Sequence, residues 1–103
     1  MAQFDVHRNG NPLTAGDIPY VLDIQNDLLW HLSTRVIAPL ERFEIAPPVS
    51  RLNPFFAVKG QSVVMATADL AALHRRELGE PVASLADRRD DIIAALDFLI
   101  SGF

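Results

Sequence analysis

The sequence predicts a mainly β fold: a small, mostly antiparallel β-barrel or sheet with one α-helix appended at the C-terminus. Three observations predict it. Chain breakers recur up to Pro81, at Asn9-Gly10-Asn11-Pro12, Gly16-Asp17, Pro47-Pro48, Asn53-Pro54, Lys59-Gly60 and Gly79-Glu80-Pro81. Short segments rich in β-branched and aromatic residues lie between them. The segment from Ser84 onward carries the clearest helical spacing of apolar residues. Many short strands followed by one helix fit a sheet or barrel with the helix packed on it.

Taken in order, Gln3–Arg8 sets Phe4 and Val6 against Asp5 and His7, the alternation of a half-buried strand. Tyr20–Gln25 places Tyr20, Leu22 and Ile24 on one face. Arg35–Leu40 is a mostly apolar run in which Pro39 predicts that the strand ends at an edge or bulge. Pro54–Lys59, a turn at Gly60 and Ser62–Thr67 form a hairpin. Asp69–Leu73 reads as either a helical turn or a bend, and His74–Leu78 is too short and too charged to assign. Ser84 with Asp87 three residues on gives the last segment a capping-box-like start. Asp87, Asp90 and Asp91 lie toward the N-terminal half, where the helix dipole favours negative charge. Leu85, Ile92, Leu96, Leu99 and Ile100 fall close to helical spacing, and Gly102 ends the helix.

One hundred and three residues suit a single domain, residues 1–103. Half the chain is apolar and 21% is charged, which is a folding composition. A chain this short buries only about two-thirds of the surface it exposes when unfolded. Some apolar side chains therefore stay near the surface, where a partner or a second copy could cover them. The absence of cysteine excludes disulfides, thiolate zinc sites, a Cys nucleophile and Fe–S clusters, and fits a reducing cytoplasm. A net charge of −4 lacks the basic balance of a stand-alone nucleic-acid binder. The apolar stretches fall short of the roughly 20 residues of a membrane-spanning helix, and the N-terminus does not read as a signal peptide. A small cytoplasmic domain is expected.

No P-loop, GxGxxG, GxSxG or HExxH motif is present. His7, His31 and His74 have no metal-ligand spacing and read as surface or turn histidines. Asp87, Asp90, Asp91 and Asp97 are explained by helix-start charge and solvated faces, and Arg75-Arg76 and Arg88-Arg89 are too small for a phosphate-tracking groove. Neither metal nor cofactor is expected. Two apolar features fit a core less easily. Leu28-Leu29-Trp30 follows the polar cluster Gln25-Asn26-Asp27, and neighbouring side chains of an extended segment point opposite ways, so one sheet face cannot bury all three. Burial in the chain's own core and a role as an interface anchor both stay open for Trp30. The terminus Phe98-Leu99-Ile100-Ser101-Gly102-Phe103 is apolar where chain ends are usually polar, which suits a subunit contact or a partner.

These segments, in this order and at this length, resemble the CcdB family of bacterial toxins. Gln3-Phe4-Asp5-Val6 is similar to the family's Gln-Phe-x-Val first strand. Tyr20-Val21-Leu22-Asp23-Ile24-Gln25-Asn26-Asp27-Leu28-Leu29 resembles its Val-Asp-Val-Gln-Ser-Asp followed by two aliphatics. Thr34-Arg35-Val36-Ile37-Ala38-Pro39-Leu40 resembles its Arg-x-Val-Ile-Pro-Leu strand, and Met65-Ala66-Thr67-Ala68-Asp69-Leu70-Ala71 its Met-x-Thr-x-x-Met-Ala segment. Pro81–Leu85 and Asp91–Leu99 match its closing helix in pattern.

The resemblance implies an SH3-like barrel with a C-terminal helix, forming a homodimer. It implies a toxin that is not an enzyme: the dimer binds the DNA gyrase A subunit and traps the gyrase–DNA cleavage complex. A CcdA-like antitoxin neutralises it with a largely disordered C-terminal segment, and DNA is met mainly through that antitoxin, which implies transcriptional autoregulation. By position, Ser101, Gly102, Phe103, Asp97, Leu28 and Leu29 are the implied gyrase-binding residues, and Leu28, Leu29 and Trp30 the antitoxin-binding ones. Ser101 departs from the family, whose best-known member has Trp there. Losing such an aromatic anchor costs about 2 kcal/mol or more of binding, for which Phe103 and Trp30 are the candidate substitutes. A MazF-like endoribonuclease toxin on the same barrel is the alternative, disfavoured by the acidic charge and by poor agreement with MazF-like opening motifs. The other is a homologue that binds antitoxin but poisons gyrase weakly or not at all.

Overall fold

The computed structural model describes residues 2–45, 48 and 51–102. Its strands are β1 (Asp5–Arg8), β2 (Tyr20–Asp23), β3 (Thr34–Arg42), β4 (Phe55–Val58), β5 (Gln61–Met65), β6 (Ala71–His74) and β7 (Ala83–Ser84), and the chain closes with helix α1 (Arg89–Ser101). Single 3-10 turns lie at Asp27–Leu29, Thr67–Asp69, Arg75–Glu77 and Ala86–Arg88. Every pairing is antiparallel. The order is β4-β5-β3-β2-β1-β7, with β6 also paired to β3, so the sheet wraps into a nearly closed barrel. The expected mainly β fold with a C-terminal helix is the fold observed.

β3 organises this sheet. One side pairs with β2 over Ile37–Leu40; the other pairs first with β6 (Thr34–Ile37) and then with β5 (Leu40–Arg42). The strand runs straight through Pro39 rather than ending there. In a strand the N and O of one residue point to the same side, and the Pro39 carbonyl accepts from Ala66 N–H at 2.9 Å, on the side away from β2. The missing N–H therefore falls in the gap where β3 changes partners, at no cost to the β2 ladder. β4 and β5 form the expected hairpin. Val58 faces Gln61 across a two-residue loop, and Lys59 (φ 50°) and Gly60 (φ 79°) both take the positive φ of a type I′ turn.

Side-chain alternation divides the sheet into two faces. Val6, Tyr20, Leu22, Leu40, Phe56, Val58, Val63 and Met65 build the main core with Phe4, closed by Leu85 and by Ile92 and Ala95 of α1. Ile24 packs beside Tyr20 and Leu22, as their period of two requires. Val21, Ile37 and Leu78 form a smaller cluster on the other face. His7 belongs to this second face and is fully buried, which corrects its assignment as a surface or turn residue. The chain enters β1 through a turn in which Asp5 N–H reaches Ala2 O at 3.0 Å and Phe4 takes φ 70°. A phenylalanine there costs about 1 kcal/mol of backbone strain, offset by burial of its ring.

The helix begins later than its sequence signals suggest. Ser84 is the last residue of β7, paired with Asp5, and its Oγ accepts from Ala86 N–H at 3.2 Å. Pairing there lets Leu85 N–H bond Phe4 O at 2.8 Å and drops the Leu85 side chain into the core. A 3-10 turn then carries the chain into α1, whose N-cap position is Arg88 without a side-chain cap. Asp90 and Asp91 occupy the first helical turn, as the dipole favours. Gly102 ends the helix with φ 77° and its N–H on Phe98 O at 3.0 Å.

Candidate functional site

Leu28, Leu29 and Trp30 stand on a tight turn that is built by the polar residues before them. Asn26 Oδ1 accepts from Leu28 N–H at 2.8 Å, the Asx arrangement that starts such a turn. Leu29 N–H returns to Asn26 O at 3.0 Å and Trp30 N–H to Asp27 O at 3.2 Å. Asp27 Oδ1 accepts from Gln3 N–H at 2.8 Å, tying the turn to the N-terminus. Gln25 Nε2 donates to Leu29 O at 3.3 Å, and Arg75 Nη1 donates to Trp30 O at 3.3 Å. The segment is therefore a 3-10 turn and not an extended strand. None of its apolar side chains is buried: Leu28 is 81% exposed and Trp30 69%, with Leu29 and Leu32 also exposed. Of the two readings left open for Trp30, burial in the chain's own core is not what the structure shows.

Beneath the turn lies a buried polar network that sequence reasoning missed. Arg35 donates to Asp23 Oδ2 from Nε at 2.9 Å and from Nη2 at 2.8 Å. Asp23 Oδ1 accepts from Gln25 N–H at 3.0 Å, and Gln25 Oε1 accepts from Val36 N–H at 3.0 Å. All three side chains are buried. Burial raises the Asp23 carboxyl above its usual 3.8, outweighing the Gln25 N–H bond, the Arg35 guanidinium and His7, which all act to lower it. His7 Nδ1 donates to Gly79 O at 2.8 Å, while its Nε2 is buried without a hydrogen-bond partner among the described residues. The available signal was the alternation itself: His7, Asp23 and Arg35 all fall on the odd-numbered, second face of the sheet.

The second exposed group is the end of α1. Ile92 and Ala95 are buried, and Ile93 and Leu96 pack at the core's edge, but the apolar stripe then leaves the core. Ile100 is 81% exposed, and Asp97, Leu99, Ser101 and Gly102 are exposed with it. Arg51 lies over the half-buried Phe98 ring at 4.8 Å. Phe103 lies outside the described residues. Leu28–Trp30 thus come together on one turn, and Asp97 to Gly102 on the last turn of the helix. Among the described residues no hydrogen bond joins the two groups.

The remaining sequence candidates stay apart. Among the described residues no three His, Asp or Glu side chains gather closely enough to hold a metal ion. Arg88 is engaged by Asp91 at 2.8 Å and lies over the Phe56 ring. A cleft of about 550 Å³ opens on the second sheet face, floored by Val21, Ile37, Pro39 and Leu73 and rimmed by Asn9, Asn11 and Glu77. Asn9 and Asn11 spend side-chain bonds on their own loop: Asn9 Nδ2 donates to Ile18 O at 2.9 Å, and Asn11 Oδ1 accepts from Leu13 N–H at 3.0 Å.

No curated protein matches the chain. Residues 3–102 do match a family model, described as CcdB protein, and so take in β1 through the end of α1 and both exposed groups. A nearly closed antiparallel barrel with one C-terminal helix, matched over almost its whole length, identifies the chain as a member of the CcdB family and a toxin of the CcdB type.

Proposed function

We propose that this toxin acts as a homodimer that binds the DNA gyrase A subunit and traps gyrase on cleaved DNA, and that a CcdA-like antitoxin neutralises it in the cytoplasm. It acts by binding and not by catalysis, and it meets its own operator DNA only through the antitoxin. Large apolar side chains are exposed at Leu13, Phe43, Ile45 and Phe55 as well, and the observation that supports this proposal is the exposure of two further apolar groups. They are the Leu28–Trp30 turn and the last turn of α1. Asp97, Ser101, Gly102 and Phe103 serve gyrase, with Leu28 and Leu29. The antitoxin takes Leu28, Leu29 and Trp30. The shared pair Leu28–Leu29 makes the two partners mutually exclusive, which is a mechanism of neutralisation. Among the described residues, no helix is long and apolar enough to cross a membrane.

Ser101 favours a second reading, a toxin that keeps its antitoxin but poisons gyrase weakly. A hydroxymethyl group has neither the stacking face nor the buried area of an indole. A gyrase cleavage assay with the purified protein decides between the two. DNA cleavage trapped at low toxin concentration, and released by the antitoxin, supports poisoning. Cleavage absent even at high toxin concentration, with antitoxin binding intact, supports the weaker form.

A further inference from the structure

The sheet stops at β4, which pairs with β5 on one side and with no strand on the other. The directions of its backbone groups follow from that pairing. Val58 and Gln61 close a two-residue loop and so exchange both hydrogen bonds, and such pairs recur at every second residue of an antiparallel ladder. Met65 N–H bonds Pro54 O at 2.9 Å, in the same phase. Pro54, Phe56 and Val58 therefore face β5, while Phe55 and Ala57 turn their N–H and C=O groups outward. Both residues are exposed, and among the described residues no other backbone group takes up these four.

A groove of about 360 Å³ opens at the Phe55 end of this edge, between β4 and α1. Pro48, Pro54, Phe55 and Ala94 line it with apolar surface, and Arg51, Arg88 and Asp91 bring its charges. Asp91 is spent on Arg88, with Oδ2 at 3.0 Å from Nε and 2.8 Å from Nη2. Arg51 lies over the Phe98 ring, and among the described residues no carboxylate is within ion-pair distance of it. The uncompensated charge of the groove is thus positive.

We propose that β4 takes up an extended, acidic peptide strand, which adds to the sheet along the groove between β4 and α1. The backbone of that strand pairs with the outward groups of Phe55 and Ala57, and a carboxylate on it meets Arg51. Main-chain pairing supplies the affinity and the groove supplies the side-chain preference. Charge complementarity selects this occupant over a second copy of the chain. Pairing β4 with its own mate, Phe55 opposite Ala57, sets Lys59 opposite Asn53, two residues from the unpaired Arg51. Like charges then gather at both ends of the strand pair, one of the ways in which edges resist self-association. This surface is neither the Leu28–Trp30 turn nor the last turn of α1, so a strand bound here is independent of the gyrase reading.

The probes are capped peptides of about eight residues, the length of a long strand. Val alternates in them with Glu, Gln or Lys, and a fourth peptide repeats the Glu sequence with every backbone N–H methylated. At saturation the Glu peptide should slow amide hydrogen exchange of Phe55 and Ala57, read by NMR, by about tenfold. It should bind about threefold tighter than the Gln peptide, with the Lys peptide weakest, and added salt should narrow the difference. The methylated peptide keeps the side chains but loses the donors, and should not bind. Arg51→Gln should erase the Glu preference while the Gln peptide still slows exchange at both amides. Ala57→Pro removes an outward N–H at a place where an edge strand tolerates proline, and should weaken all three peptides. Unchanged exchange at Phe55 and Ala57, equal binding of the methylated peptide, or equal binding of the Glu, Gln and Lys peptides overturns the proposal. So do amides already protected in the peptide-free protein that lose protection on dilution, since a second copy then occupies the edge.

Discussion

Arg35 reaches Asp23 across the β2–β3 pairing with two nitrogens on one carboxylate oxygen, Nε at 2.9 Å and Nη2 at 2.8 Å, and both side chains are buried. Breaking such a pair strands a charge in the interior, while replacing both members by apolar groups of similar size removes the problem. Asp23→Leu and Arg35→Met should each destabilise the fold by about 3–5 kcal/mol, and the double variant by much less than their sum. Urea unfolding of the four proteins checks this. Additive losses would mean that the pair is not coupled.

The same carboxyl sets a pH dependence. Its pKa lies above 3.8 in the folded protein because burial disfavours the charged form. The folded state therefore holds this proton more tightly than the unfolded chain, so Asp23's contribution to stability is greatest below the unfolded pKa and is lost as pH rises through the folded one. The stability of the parent protein relative to Asp23→Asn should fall as pH rises from about 3.5 toward 7. Unfolding free energies of both proteins across that range give the answer, and a difference that grows with pH would contradict it.

Two isoleucines of α1 should behave oppositely. Ile92 is fully buried against the barrel, so Ile92→Ala should cost about 2–5 kcal/mol and lower the unfolding temperature by about 10 °C or more. Ile100 is exposed, so Ile100→Ala should change the stability of the isolated chain by no more than about 0.5 kcal/mol. Ile100 stands beside Ser101 on the exposed last turn proposed to meet gyrase, so its loss should weaken gyrase binding all the same. Thermal unfolding and a gyrase pull-down, run side by side, test both halves.

Lys59 holds φ 50° in the β4–β5 turn, a conformation that asparagine tolerates better. Lys59→Asn, giving Asn-Gly at the loop, should stabilise the protein by a few tenths to about 1 kcal/mol. A lower denaturation midpoint than the parent's would rule the idea out.

If Trp30 and Phe103 supply the aromatic area that Ser101 lacks, Trp30→Ala and Phe103→Ala should each weaken gyrase binding by about tenfold or more in a folded protein. Two variants that bind like the parent would end that compensation idea.

What can be read in the sequence follows from what is local. The alternation of Tyr20, Leu22 and Ile24 and the Lys59-Gly60 turn depend on neighbours within a few residues, and both reappear in the fold. Pro39 misleads because its tolerance depends on where β3 exchanges β6 for β5, a matter of three strands at once. Ser84 carries a helix signal that pairing with Asp5 overrides. His7 looks like a surface residue because the carbonyl that receives its proton, Gly79 O, is 72 residues away. The apolar residues of the Leu28–Trp30 turn stand out in the sequence, whereas Asp23 and Arg35 beneath them are marked only by alternating in step with Val21 and Ile37, and a face that carries charges reads as solvated until its cover is seen.

Asn26, Gln25 and Arg75 hold the Leu28–Trp30 backbone in place by bonds to Leu28 N–H, Leu29 O and Trp30 O. A partner arriving at Leu28 thus meets a surface already ordered when the barrel folds, and loses little entropy in shaping it. Asn26 and Gln25, whose side chains are spent on the turn itself, then govern its affinity. Cutting the Gln25 bond to Leu29 O would free the turn and speed partner release, with every contacting side chain still in place.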